Sequence, residues 1–127
     1  MARDPNIPDA FDVFTVVMLR RPPDPPKMSD AELDALQAQH LAYRAELRGR
    51  GVLVVNGPLL EQSDTSLRGL SVFACDLDEA ARLSGADPSV QAGRLAYELM
   101  EWWVAADSLA FPSALGPVGT RRQMPED

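Results

Sequence analysis

The sequence predicts an α+β fold, an antiparallel sheet with helices on one face and the chain order β-α-β-β-α-β. Three observations carry the prediction. Short runs rich in β-branched and aromatic residues recur along the chain, one long segment of helix formers opens on a capping box, and proline, glycine or polar clusters separate the runs. At 127 residues there is room for one ordinary hydrophobic core and no second independent one.

The first run, residues 11–20 (FDVFTVVMLR), reads as a strand. It stops at Arg21-Pro22-Pro23-Asp24-Pro25-Pro26, which sustains neither a helix nor a strand ladder. Ser29 then stands three residues before Glu32, the spacing that satisfies exposed amides at a helix start, and helix formers continue to Arg48 before Gly49 and Gly51. Within this helix Leu33, Leu36, His40, Tyr43 and Leu47 recur at alternating steps of three and four, a stripe that should face the sheet. Residues 51–57 (GVLVVNG) and 68–76 (RGLSVFACD) are two further strand-like runs, and the polar segment 61–66 between them suits a hairpin. Residues 78–83 form a second, shorter helix, and Asp87-Pro88 starts another turn, since proline fits a first helical position. Residues 95–105 complete the pattern as a fourth strand, although their Leu, Met and Glu content also suits a helix.

This order is the ferredoxin-like arrangement. One face of its sheet remains without helices, and a second copy laid sheet to sheet would cover it with identical surfaces. The expected assembly is therefore a homodimer or higher. The folded domain is expected over residues 1–106, with its core in 11–104, and residues 107–127 form a tail. Punctuated by Pro112, Gly116, Pro117 and Gly119, that tail is either disordered or wraps across the partner through Phe111 and Leu115.

Composition narrows the function. Twelve basic against 19 acidic residues give a formal charge of −7, which opposes binding to nucleic acid or anionic membranes. Apolar runs fall far short of the roughly 20 residues of a membrane-spanning helix. Arg3, Asp4, Pro5, Pro8 and Asp9 interrupt the place where a secretory signal would be apolar, so the expected location is the cytoplasm. One cysteine and one histidine do not make a closed metal site, and no glycine loop of the nucleotide-binding kinds occurs. No metal or organic cofactor is expected. Cys75 reads as a small buried hydrophobe unless a basic neighbour lowers its pKa.

His40, the only histidine, lies on the inward stripe, where a histidine by itself reads as a core residue. Asp87 lies at the turn before the last strand, where a helix cap followed by proline explains it equally well. Together the two would have a different meaning. A carboxylate beside an imidazole fixes its tautomer and stabilises its charged form, giving a general base or acid near neutral pH. Sequence spacing alone does not bring them into contact.

A wider pattern adds to this. His40 in Gln39-His40-Leu41, Gly51, Gly57-Pro58-Leu59, Gly69, Glu79-Ala80, and Asp87-Pro88 with Ala92-Gly93 together resemble the YCII-related (YciI-like) family over nearly the whole domain. The resemblance implies a dimeric α+β barrel with a pocket in each subunit, and an active-site pair that falls on His40 and Asp87. Relatives with an assigned reaction act on small ring compounds. The proline-rich loop, Trp102-Trp103 and the long tail depart from the family's compact pattern.

The functional expectation is a cofactor-independent enzyme performing lyase, isomerase or hydrolase-like acid–base chemistry on a compact metabolite, cyclic ones included. The alternative is a non-catalytic ligand-binding or accessory dimeric module. Gly57, Pro58 and Leu59 after the second strand, Tyr97 on the fourth and Arg20 at the end of the first are further candidates for the pocket wall. Arg20 and Arg21 could clamp an anionic substrate, or be solvated loop charges.

Overall fold

The computed structural model describes residues 4–111. Along the chain come β1 (Phe11–Arg20), α1 (Asp30–Gly49), β2 (Leu53–Pro58), β3 (Leu67–Phe73), α2 (Leu77–Gly85), α3 (Pro88–Gln91) and β4 (Ala96–Ala105). The four strands form one sheet in the order β2-β3-β1-β4. β3 runs antiparallel to both β1 and β2, with Val17 opposite Ser71 and Leu53 opposite Phe73. The expected hairpin of β2 and β3 is present.

The chain makes two compact units, Val13–Trp103 and a unit of chain ends whose described residues are 4–12 and 104–111. In the unit of chain ends, the Ala106 amide donates to the Ala10 carbonyl (3.0 Å) and the Asp107 amide to the Asp12 carboxylate (3.0 Å). The tail contact expected at Leu115 lies outside the described residues.

In the larger unit the capping box forms as its spacing predicts: Ser29 Oγ accepts from the Glu32 amide at 3.1 Å, and Glu32 Oε1 from the Ser29 amide at 3.0 Å. The second helix is longer than expected, starting at Leu77, because Asp76 caps it by accepting from the Glu79 amide at 2.9 Å. The segment whose composition left helix and strand open is a strand. It begins at Ala96, since the Leu95 amide is still bonded to the Ser89 carbonyl (3.1 Å).

Val17, Leu19, Leu47, Leu53, Phe73 and Leu83 form the core between the sheet and the helices. Full burial of side chains of this kind contributes about 1.5–3 kcal/mol each. Tyr97 and Leu99 of β4 pack against this core, so strand alternation puts Met100 and Trp102 on the opposite face of the sheet. Leu70, which neighbours the core-facing Ser71, and Val55, which neighbours Asn56, share that face. All four are exposed, between 38% and 47%, so the face without helices is apolar. Among the described residues no helix is long and apolar enough to cross a membrane.

Candidate functional site

The site lies where α1 meets the short helix α3. α1 is long enough to carry its inward stripe across the sheet, and His40 stands on its inner side with 13% of its side chain exposed. The backbone turns at Ala86, and Asp87 caps α3 by accepting from the Ser89 amide at 2.9 Å. Proline at the first helical position leaves no amide unsatisfied there. That cap aims the Asp87 carboxylate at α1. His40 Nδ1 lies 2.8 Å from Asp87 Oδ1 and 2.9 Å from Oδ2. Two residues 47 positions apart in the chain thus form a hydrogen-bonded pair.

Asp87 is wholly buried. Burial is the largest influence on its carboxyl and pushes the pKa up. The hydrogen bond and charge of His40, the Ser89 amide and the Arg44 charge together outweigh burial and hold it below the ordinary carboxylate value. An ionised carboxylate only accepts, so Nδ1 is the protonated nitrogen and donates to it. In the neutral ring Nε2 then carries the free lone pair, and it has no hydrogen-bond partner among the described residues.

The structure adds a residue to this pair that the inward stripe left out. Arg44 is 2% exposed, and its Nε donates to Asp87 Oδ2 at 3.1 Å. Its Nη1 donates to Ser71 Oγ at 3.2 Å, and its guanidinium lies 5.8 Å from the centre of the Phe73 ring. Nη2 is buried with no hydrogen-bond partner among the described residues. Burial lowers the pKa of Arg44, opposed by the charge of Asp87, and a guanidinium stays charged throughout the physiological range. Asp87 therefore holds two partners on α1 one turn apart. The i, i+4 spacing of His40 and Arg44 was the available signal. It is easily passed over because arginine on a helix is most often solvated.

The remaining candidates lie elsewhere. Gly57 and Pro58 are in β2, opposite Leu70 and Gly69, and the Leu59 amide bonds to the Arg68 carbonyl at 3.0 Å. Tyr97 packs against the core. Arg20 is bound to Glu98 (2.9 Å), Asp64 (3.0 Å) and Ser66 Oγ (2.6 Å). None of these five residues hydrogen-bonds to His40 or Asp87 among the described residues, and none lines the cavity beside the pair. That cavity, about 280 Å³, is lined by Leu36 and Gln37, a turn before His40, and by Ser89, whose amide holds Asp87, while His40 and Asp87 themselves are not in its lining.

A larger cavity of about 530 Å³ is bounded by Thr15, Cys75, Asp76, Asp78 and Glu101, among others. Burial, Glu79 and Asp76 push the Cys75 thiol up, which keeps it protonated and unsuited to nucleophilic attack. Among the described residues, no three His, Cys, Asp or Glu side chains are grouped as metal ligands.

No curated protein matches the sequence. Among solved structures, the fold is similar to that of 5-chloro-2-hydroxyhydroquinone dehydrochlorinase (TftG) from Burkholderia phenoliruptrix AC1100, determined as a complex with 2,5-dihydroxybenzoquinone. The two share 21% identity over 70% of this chain and 92% of that chain, with a TM-score of 0.52. At that identity the likeness is one of fold. The sequence pattern of the YCII-related domain matches residues 14–103, and the chain belongs to the YCII-related family.

Proposed function

We propose that this protein is a small-molecule enzyme of the lyase type, in which His40 is the general base and acid and Asp87 orients it. The observation that carries this reading is the bond from His40 Nδ1 to the buried Asp87 carboxylate, which leaves Nε2 with no hydrogen-bond partner among the described residues. In that arrangement Nε2 takes a proton from the substrate while an electron pair on the substrate expels the leaving group. The imidazolium that forms is stabilised by Asp87, whose ionised state Arg44 supports at 3.1 Å.

The fold it shares with a dehydrochlorinase solved with a bound quinone makes small oxygenated ring compounds the first substrates to try. Under this proposal the chain works as a homodimer, its apolar sheet face covered by a second copy.

The test is turnover of 5-chloro-2-hydroxyhydroquinone and related hydroxylated rings by the wild type and by His40→Asn. Turnover that falls about 10²–10⁴-fold in the variant supports the proposal. Turnover equal in the two proteins removes His40 from the chemistry. Ring compounds that bind without reacting would favour a ligand-binding module.

A further inference from the structure

The cavity beside the pair has a chemistry of its own. Arg21, just past β1, and Arg94, just before β4, both line it, although 73 positions separate them. Each is held by a neutral acceptor: Arg21 Nε donates to the Arg94 carbonyl at 3.1 Å, and Arg94 Nη1 to the Pro26 carbonyl at 3.0 Å. The proline-rich loop thus supplies the carbonyl that anchors Arg94. Gly93, at φ +76°, makes the turn that precedes Arg94, and a Cβ there would lie 3.3 Å from Pro26 Cγ.

Among the described residues neither arginine forms an ion pair, in contrast to Arg20, which is bridged to both Asp64 and Glu98. The mutual repulsion shows in Arg21, whose pKa is lowered by burial and by the nearby charges of Arg94 and Arg68. Asp34 is the one carboxylate among the lining residues, against two guanidinium groups, so the cavity is cationic in a chain of net charge −7. Leu33, Leu36 and Leu95 supply apolar walls. A volume of about 280 Å³ is at the small end for ligand pockets and suits a single ring.

We infer that this cavity binds a small organic anion, its oxyanion between Arg21 and Arg94 and its apolar body against the three leucines. The inference deepens the proposed function by naming the charge class of the substrate, and rests on that reading only for the ligand's being a substrate. Planar guanidinium groups match the two oxygens of a carboxylate or of a delocalised enolate. An anion held there would lie along α1 from His40, on the side where Ser89 both lines the cavity and holds Asp87.

The test is an NMR titration of the full chain with benzoate and with its neutral counterpart benzamide, following the amides of Ser89 and Leu95. Benzoate should bind about tenfold or more tightly than benzamide, and Arg21→Gln and Arg94→Gln should each remove most of that preference. Asp34→Asn, a change at an exposed helix position, should tighten benzoate, and it serves as the decisive variant if an arginine replacement fails to fold. Equal affinity for the two probes overturns the inference, as does a preference for benzoate that survives in Arg21→Gln/Arg94→Gln. His40→Asn should bind benzoate as the wild type does. Failure of the acid–base reading therefore shows as unchanged turnover in that variant, and failure of the anion site as a lost distinction between the probes.

Discussion

Arg44 Nε and Asp87 Oδ2 lie 3.1 Å apart with both side chains almost wholly removed from solvent. The carboxylate bonded to His40 is thus itself held by a buried cation one helical turn further on. An uncompensated charge in the interior is costly, so the pair joins the integrity of the fold to the state of the site.

Removing the cation should therefore cost stability. Arg44→Met, which keeps an unbranched chain of similar length, leaves Asp87 buried with only His40 and the Ser89 amide. The expected loss is about 3 kcal/mol, at the low end for breaking a buried ion pair because those two partners remain. Urea denaturation monitored by circular dichroism checks it.

His40→Asn and Asp87→Asn should separate chemistry from stability. His40 is partly exposed and Asp87 wholly buried. The first change is expected to lower turnover about 10²–10⁴-fold with a small effect on unfolding. The second should lower turnover comparably and also destabilise the fold, because Arg44 loses its charged partner. Measuring kcat and the urea midpoint for both variants tests the distinction. Equal stability of the two would contradict the central place of Asp87.

The pH dependence follows from the lowered pKa of Asp87. Below its unfolded value, about 3.9, the unfolded chain binds the proton more readily than the folded one. The contribution of Asp87 is thus fully present above that pH and is lost as pH falls through the folded pKa. The contribution of the Asp87 carboxylate itself to the stability difference between wild type and Asp87→Asn should shrink as pH falls below about 4. Glu32, Asp64 and Glu79 also have lowered values, but they are common to both proteins and cancel in the difference. Urea midpoints across the acid range supply the measurement.

The apolar sheet face gives a prediction about assembly. A glutamate at Leu70 or Trp102 would place a charge in an interface formed by packing two such faces, without touching the core side of the sheet. Leu70→Glu and Trp102→Glu are expected to convert a dimer to a folded monomer, read by sedimentation velocity with circular dichroism as the control for folding. A dimer that persists in both variants would place the interface elsewhere.

The sequence determined the elements and their order by local rules. Ser29 and Glu32 specify a helix start through groups three residues apart, β-branched runs specify strands, and the spacing of Leu33, Leu36, His40, Tyr43 and Leu47 turns His40 inward. Only the tertiary structure decided which polar groups meet. Asp87 reaches His40 across 47 positions because the α3 cap aims it at α1, and Arg21 joins Arg94 across 73 because the end of β1 and the start of β4 lie beside the same helix. Arg44 lay between the two kinds of information: its i, i+4 spacing from His40 is local, but burial of an arginine depends on a carboxylate that no local pattern places. Local periodicity fixes direction along one element, whereas a site is a coincidence of several, and the packing of sheet against helix is what brings them to one point.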